Sequence, residues 1–351
     1  MRVPTTQAVI DLCISHGFAI AGVASATRSA HDDKLWQWLE DEKQGEMEWM
    51  NRNVDVRLDP RNLVENAKSV ICIADRYGIL EEDDISNNSG KVARYAQGKD
   101  YHKVMKKRLH AICDTFKQQY PNEIFRSCVD TAPLLEREFA QKAGIGSVGK
   151  HTLVIEQGIG SWLLLGAIVT TVEIQPSAPS APDPCSTCTR CIDACPTDAI
   201  TPWEVDARKC ISYLTIEHRT AIDPALYEGI GHWIFGCDIC QEVCPHNQPN
   251  ERSAHSVIHE SYTPVTKSLD VLDVLHWDEE ARRHHFRGSS MKRAKLNMIR
   301  RNAVIVAGNI LAEIDNPELL TKLKEIASSH SEDPLVSSAA QVVLKKEELK
   351  G

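Results

Sequence analysis

The sequence lacks the features that would place the protein in a membrane or outside the cell. Its first residues contain no apolar run of the kind that a signal peptide needs, and its longest apolar stretch, 162–172, is too short to span a bilayer. A net charge of −9 also argues against a surface that is basic throughout. We therefore expect a cytoplasmic protein that is not attached to a membrane.

A disulfide framework is not expected without an export signal, although the 351 residues include 12 cysteines. So many cysteines in a protein of this kind indicate metal binding. Four of them show no ligand spacing, and we expect them to be buried as small hydrophobic side chains. These four are Cys13, Cys72, Cys113 and Cys128.

The other eight cysteines form two related motifs. The first, Cys185-x2-Cys188-x2-Cys191-x3-Cys195-Pro196, matches the bacterial ferredoxin motif, whose fourth cysteine ligates the other [4Fe–4S] cluster of a pair. The run Cys237-x2-Cys240-x3-Cys244-Pro245 repeats its second half, and Cys210 supplies the missing ligand. We assign cluster one to Cys185, Cys188, Cys191 and Cys244, and cluster two to Cys195, Cys210, Cys237 and Cys240.

Zinc is the main alternative, but zinc sites usually use pairs of Cys-x2-Cys and do not need the three-residue step before Cys-Pro. A purely structural iron–sulfur role is a second alternative. The 26 residues between Cys210 and Cys237 depart from the spacing of a free-standing ferredoxin. This departure favours a cluster module built into a larger enzyme over a simple electron carrier.

Three segments are expected along the chain: 1–176, 177–250 and 251–351. In the first, predicted helices at 34–43 and 103–119 alternate with predicted strands at 69–74 and 162–172, which favours an α/β or α+β domain. The polar piece 81–90 is typical of an exposed loop, and the proline-rich piece 175–184 of a linker or surface loop. Helical patterns at 301–313, 317–328 and 334–349 predict a C-terminal helical cap.

Positive charge is concentrated in a basic segment, 282–301, which contains no Asp or Glu. Such a segment either binds nucleic acid or forms one solvated helix face, and the second is the simpler interpretation when nothing else is known. Its basic residues are Arg282, Arg283, Arg287, Lys292, Arg293, Lys295, Arg300 and Arg301.

Several segments together resemble the epoxyqueuosine reductases. The segment 233–247 is similar to the family's cluster signature, and 45–52 leading to 57–61 is similar to its N-terminal motif. Segments 94–102 and 129–137 resemble its active-site segments. Segment 144–153 resembles its cofactor loop, with Ser147 where an aromatic residue is common.

The resemblance implies a cobalamin-dependent reductase that converts epoxyqueuosine to queuosine at the wobble position of tRNA. It implies an α+β or α/β cobalamin-binding domain, an inserted bacterial ferredoxin-like module with two [4Fe–4S] clusters, and a C-terminal α-helical HEAT-like cap. An electron donor of the flavodoxin or ferredoxin type would feed both clusters and then cobalamin. We expect a monomer.

On this resemblance Asp130 is the expected proton donor, with a pKa raised beside an apolar macrocycle. Alternatively, Asp130 or Thr131 caps a helix that starts near Pro133. Asp100 and His102 are expected near the substrate, as hydrogen-bond partners of its hydroxyls or as secondary acids. The expected cobalamin contacts are Arg57, Asp130, Lys150, His151, Val154, Gln157 and Ser212. The expected tRNA contacts are Arg282, Arg283, Lys292, Arg293, Lys295, Arg300 and Arg301.

Three rival functions share parts of this pattern. A reductive dehalogenase also combines cobalamin with iron–sulfur clusters, but it is typically exported and needs no basic segment. An electron-transfer module would need neither cobalamin nor Asp130. A structural RNA-binding protein stabilised by iron–sulfur clusters would bind tRNA without changing it.

Overall fold

The computed structural model describes residues 3–81, 86–255 and 258–348. Its N-terminal part is an antiparallel sheet with helices on both faces. The elements of this part are α1 (Thr6–Ser15), β1 (Ile20–Ser25), α2 (Asp32–Glu40), α3 (Val54–Leu58), β2 (Ser69–Arg76), β3 (Ser89–Val92), α4 (Tyr101–Gln119), β4 (Phe125–Cys128), α5 (Glu136–Lys142), β5 (Ser147–Val148), β6 (Val154–Ile155) and β7 (Leu163–Thr170). Strands β1, β2, β7 and β4 form the sheet in that order.

The inner strand β2 is buried along its whole length because both faces of the sheet are covered. Ile71 and Ile73 contribute to the core beneath α1 and α4, whereas Val70, Cys72 and Ala74 contribute to the core beneath α5. This alternation is the period of two that an extended strand imposes. The continuous apolar run in the sequence therefore predicted strand β2 correctly.

Most sequence predictions for this part are confirmed. The predicted helices correspond to α2 and α4, and the predicted strands to β2 and β7. The predicted loop 81–90 is wrong at its end, because Ser89 begins β3, and residues 82–85 of it lie outside the described residues. The predicted helix cap at Asp130 or Thr131 is also wrong, since α5 starts at Glu136 and Leu135 precedes it.

The cysteine-rich part consists of short elements joined to both neighbouring parts. These are α6 (Arg190–Asp193), β8 (Ile200–Thr201), β9 (Glu204–Val205), α7 (Ile211–Ile216), α8 (Tyr227–Ile230), β10 (Trp233–Phe235), α9 (Ile239–Glu242) and α10 (Glu251–His255). Strand β10 pairs in parallel with β3, and β3 pairs antiparallel with a later strand, Ser268–Asp270. One small sheet therefore joins all three segments of the chain.

The C-terminal part is mainly helical, as predicted. It contains β11 (Ser268–Asp270), α11 (Val271–His276), α12 (Glu279–His285), α13 (Leu296–Glu313), α14 (Pro317–Ser328) and α15 (Pro334–Glu348). Helix α13 is buried between α15 and the cluster-binding part and shares one hydrophobic core with both. No helix in the described ranges combines the length and apolarity needed to cross a membrane.

Candidate active site and cluster-binding module

The predicted acidic residues meet at the start of α4. Asp100 caps this helix by accepting a hydrogen bond from the backbone N–H of His102. The imidazole Nδ1 of His102 lies 2.8 Å from Asp100 Oδ1, and its Nε2 lies 3.0 Å from Asp130 Oδ2. Lys292 donates to the other oxygen of Asp100. The imidazole is therefore held between two carboxylates, one of which is paired with a lysine.

Exposure rises along this row of groups, from 2% for Asp100 through 26% for His102 to 58% for the Asp130 side chain. Burial alone would lower the pKa of His102, but hydrogen bonds and charge from Asp100 and Asp130 raise it to about 9. Burial tends to raise the pKa of Asp130, yet the hydrogen bond and charge of His102 hold it below its ordinary value. The protein's own groups thus lower the pKa of Asp130, and at neutral pH the shared proton resides on His102. The rise expected beside an apolar macrocycle stays a prediction.

Asp100 has a different role from the one predicted. Burial tends to raise its pKa, but the hydrogen bonds from His102 and Lys292 keep that pKa far below its ordinary value. A carboxylate that is inaccessible and permanently ionised can neither bind a substrate hydroxyl nor donate a proton. Asp100 instead orients His102.

The backbone of Asp130 adopts a φ of +52°, which is uncommon for a residue with a side chain. Its N–H donates to Glu136 Oε1 at a distance of 3.0 Å. Burial and the nearby charge of Asp130 raise the pKa of Glu136 to about 8. Sequence reasoning missed Glu136, although its place in the first turn of α5, just after the Asp130 turn, was an available signal.

The carboxylate of Asp130 is accessible to solvent. Arg57 and Arg137 both lie within electrostatic range of Asp130, and Arg137 also interacts with Cys210 and Cys240. The region between Asp130 and the cysteines assigned to cluster two, here called the cleft, is bordered by Arg57 and Arg137. Arg57 Nε is buried there without a hydrogen-bond partner among the described residues.

The structure brings together each predicted set of four cysteines. Those assigned to cluster one line a single cavity, and the thiols assigned to cluster two interact electrostatically with one another. Across 3–81, 86–255 and 258–348, no three His, Cys, Asp or Glu side chains converge closely enough to hold a single metal ion. The cluster-one thiols line one cavity together with His151 and His246. The other four cysteines are buried as predicted.

The residues predicted to contact cobalamin lie in different parts of the structure. The Nζ of Lys150 donates to the carbonyl oxygens of Ser186 and Cys188, at 2.7 and 3.0 Å, and His151 lines the cluster-one cavity. These contacts hold both side chains at cluster one, so their predicted contact with cobalamin is not supported. The Val154 side chain is buried in the core beneath α5, and its contact with cobalamin stays a prediction.

The remaining predicted contacts are accessible. Gln157 is exposed, and its carbonyl oxygen accepts from Arg252. Ser212 is half-buried, and its backbone N–H points at the thiol of Cys210, on the cluster-two side of the cleft. Arg57 reaches the cleft itself, as its interaction with Asp130 requires.

The basic segment does not form one positive face. Arg301 is completely buried, and its predicted contact with tRNA is wrong. Arg300 is paired with Glu332 at 2.7 Å and is 15% exposed. Arg282 donates to backbone carbonyls within the segment and is equally shielded. Four predicted contacts have exposed side chains: Arg283, Lys292, Arg293 and Lys295.

Trp49 lies near one of these exposed residues. Its ring is 41% exposed, with the Arg57 guanidinium 5.8 Å and the Arg293 guanidinium 6.0 Å from its centre. Arg57 and Arg293 both interact with Asp130. An exposed aromatic ring with two guanidinium groups therefore borders the candidate active site.

Comparisons with known proteins match both the cysteine-rich part and the part that contains Asp100 and Asp130. A family model for a 4Fe-4S double cluster binding domain matches residues 184–247, and one for epoxyqueuosine reductase QueG, DUF1730, matches residues 57–131. The epoxyqueuosine reductase of Leadbetterella byssophila is 39% identical over 83% of this chain and 94% of its own length. That of Vibrio cholerae is 36% identical over 84% of this chain and 81% of its own length.

Solved structures of epoxyqueuosine reductases also resemble this chain along most of its length. A structure of epoxyqueuosine reductase with an epoxyqueuosine-modified tRNA-Tyr stem loop has a TM-score of 0.84 and 25% identity, and covers 98% of this chain and 92% of that one. A Bacillus subtilis structure, with the same TM-score and identity, has its catalytic aspartate loop swung out of the active site. The cysteine-rich module is thus a binding module for two [4Fe–4S] clusters, and the chain belongs to the epoxyqueuosine reductase family of oxidoreductases.

Proposed function

We propose that this chain reduces epoxyqueuosine to queuosine at the wobble position of tRNA, with Asp130 delivering a proton to the departing epoxide oxygen. The observation that carries the proposal is the accessible Asp130–His102 pair, beside an arginine, Arg137, that interacts with Asp130 and with two cysteines assigned to cluster two. Family membership and the tRNA stem loop bound to a structural relative support the same substrate.

The cleft has the chemistry needed to hold cobalamin. Corrin side chains end in amides, whose carbonyl oxygens accept hydrogen bonds, and Arg57 offers a buried donor with no partner among the described residues. Arg57, Asp130, Gln157 and Ser212 are the predicted contacts that remain available. Bound cobalamin would supply a centre for two-electron reduction, fed by single-electron transfer through the two clusters.

Converting an epoxide to an alkene breaks two carbon–oxygen bonds and consumes two electrons and two protons, so that the oxygen leaves as water. The departing oxygen gains negative charge and needs a proton donor within reach. Asp130 is the exposed member of the row, and His102 behind it holds the proton at neutral pH. Proton transfer through Asp130 to the oxygen would leave His102 neutral, to be protonated again from solvent.

Binding of the tRNA loop would use the border of this cleft. Unpaired bases stack on aromatic side chains, and guanidinium groups bind phosphates. Near Asp130, Trp49 offers such a ring, and Arg293 offers a guanidinium that is 46% exposed although it pairs with Glu217 at 2.7 Å. Arg283 and Lys295 would add weaker, salt-dependent phosphate contacts. A cytoplasmic, monomeric protein with a flavodoxin- or ferredoxin-type donor stays a prediction.

The proposal is tested with the full chain, reconstituted anaerobically with iron, sulfide and cobalamin, and given a strong reductant. A stem-loop RNA containing epoxyqueuosine is then digested, and its nucleosides are weighed by mass spectrometry. Loss of one oxygen, giving queuosine, is the expected result. Cobalamin binding with an unchanged nucleoside would refute tRNA reduction and leave a small-molecule substrate. Failure to bind cobalamin would leave an electron carrier.

A further inference from the structure

His151 lies in the cluster-one cavity with an unused donor. Its side chain is buried, and it lines the cavity together with Cys185, Cys188, Cys191 and Cys244. Its Nδ1 accepts a hydrogen bond from the backbone N–H of Leu153 at 3.2 Å. A neutral imidazole whose Nδ1 accepts must carry its proton on Nε2. That Nε2 is buried and has no hydrogen-bond partner among the residues that the structure describes.

The loop that carries His151 is shaped around cluster one. The backbone N–H of Lys150 donates to Cys185 Sγ at 3.3 Å, and its side chain is fixed by two carbonyl oxygens of the cysteine loop. A Cβ on Gly149 would lie 2.5 Å from Ile155 Cδ1 and 3.2 Å from His151 Cε1. A side chain at this position would therefore displace the end of Ile155 and crowd the imidazole.

A buried donor without a partner is costly and uncommon in folded proteins. Because the cavity around His151 is bounded by four cysteines, the natural acceptor is a sulfur of the cluster they would hold. We propose that His151 Nε2–H donates a hydrogen bond to a sulfur atom of cluster one and thereby raises the reduction potential of that cluster. The proposal rests on the cluster assignment in the proposed function, but not on the reaction with tRNA.

The direction of the change in reduction potential follows from the charge of the cluster. Reduction adds one electron to the cluster and makes its sulfurs better hydrogen-bond acceptors, so a donor stabilises the reduced form more than the oxidised form. His151 would thus be a positioning residue for electron delivery and would not touch the substrate. Removing the donor should make cluster one harder to reduce without removing a ligand.

His246 provides a matched control in the same cavity. It also lines the cluster-one cavity, but its Nε2 already lies 2.9 Å from the carbonyl oxygen of Pro184.

The full-length H151F and H246F proteins, reconstituted anaerobically with iron and sulfide, are titrated with a reductant while electron paramagnetic resonance reports each reduced cluster. At a fixed potential, H151F should lower the ratio of reduced to oxidised cluster one about fivefold, the effect of one neutral hydrogen bond. Cluster two in H151F and both clusters in H246F should stay near wild type.

An unchanged cluster-one ratio in H151F, or an equal fall in H246F, would overturn the proposal. A second measurement keeps the test decisive if H151F does not assemble cluster one. The H246F protein, labelled with nitrogen-15 only in its histidine rings, should show a ring nitrogen coupled to the reduced cluster-one spin by pulsed resonance, and absence of that coupling would also overturn it. Neither readout uses tRNA, so a failed tRNA assay leaves this result interpretable.

Discussion

The imidazole Nε2 of His102 lies 3.0 Å from Oδ2 of Asp130, and this contact decides where the candidate active site keeps its proton. The more basic imidazole holds the proton, while the more exposed carboxylate faces the cleft. A single carboxylic acid with a raised pKa would have stored and delivered the proton itself. Here the two tasks are divided between neighbouring groups, which titrate as a coupled pair.

The pair predicts a loss of activity at alkaline pH. The pKa of His102 is raised to about 9, above its ordinary value, so the proton is present below that pH and is lost as pH rises through it. Single-turnover rates of queuosine formation should therefore be flat near neutral pH and fall around pH 9. The same protonation stabilises the fold, fully so below the unfolded pKa of His102, and that contribution disappears over the same alkaline range. A rate that rises steadily through pH 9 would contradict this assignment.

Replacing the buried carboxylate of Asp100 should lower the pH at which the rate of queuosine formation falls. Asp100→Asn removes one of the two charges that raise the pKa of His102, so the alkaline fall in rate should shift to lower pH. Asp114→Asn, at an exposed position on the same helix α4, is the control and should leave the profile unchanged. Identical profiles for wild type and Asp100→Asn would show that Asp100 does not set the basicity of His102.

Glu136 should matter as a hydrogen-bond acceptor and not as a charge. Its raised pKa, about 8, means that the carboxyl is largely neutral at neutral pH, and its Oε1 accepts from the Asp130 N–H. Glu136→Gln keeps that oxygen and should retain most activity. Glu136→Leu releases the Asp130 backbone from its φ of +52° and should lower the rate of queuosine formation by about tenfold, the effect of one well-placed hydrogen bond. Equal rates for the two variants would refute the role of the acceptor.

Replacing two arginines of the basic segment should have opposite effects, one on stability and the other on RNA binding. Arg301 is buried and donates to the carbonyl oxygens of Leu214, His218 and Thr220. Arg301→Gln should lower the free energy of unfolding by about 3 kcal/mol, because these buried acceptors lose their partner. Arg283→Gln, at an exposed position, should change stability by less than about 0.5 kcal/mol and weaken RNA binding slightly at low salt. Chemical denaturation and RNA titration measure the two effects, and the reverse pattern would restore Arg301 as a phosphate contact.

Trp49 should contribute to RNA binding. Stacking of one base on an aromatic ring is worth about 1–3 kcal/mol, so Trp49→Ala should weaken binding of an anticodon stem loop about tenfold. Trp36 is a control of the same type, with 45% exposure against 41% for Trp49, but it lies on α2 and has no described contact with the arginines of the cleft. Equal Kd values for Trp36→Ala and Trp49→Ala would show that the ring does not stack on the RNA.

Spacing along the chain predicted the features that depend on local order. Cys-x2-Cys steps and the Cys-Pro turns were enough to group Cys244 with Cys185 across a long stretch of chain, and the structure brings the two side chains to one cavity. Continuous apolar runs were enough to find β2 and β7, since strands covered on both faces need apolar residues at every position.

Features that depend on tertiary contacts could not be predicted in this way. Arg301 and Arg283 look equivalent in the sequence, and only the packing of α13 against the cluster-binding part buries one of them. Lys292 was expected to bind phosphate because nothing in the sequence shows that it reaches Asp100. The low pKa of Asp130 likewise depends on His102, which lies 28 positions away along the chain.

Replacement of Asp130 by asparagine tests the proposed reaction most directly. Asn keeps the shape of the side chain but cannot pass a proton from His102 to a departing oxygen. Queuosine formation in the reconstituted Asp130→Asn protein should fall at least about a hundredfold, the usual contribution of a positioned proton donor. Iron content and stem-loop Kd should stay at wild-type values, as they should in Asp114→Asn, and cobalamin should still bind. A near-normal rate in Asp130→Asn would contradict the assignment of Asp130 as the group that protonates the epoxide oxygen.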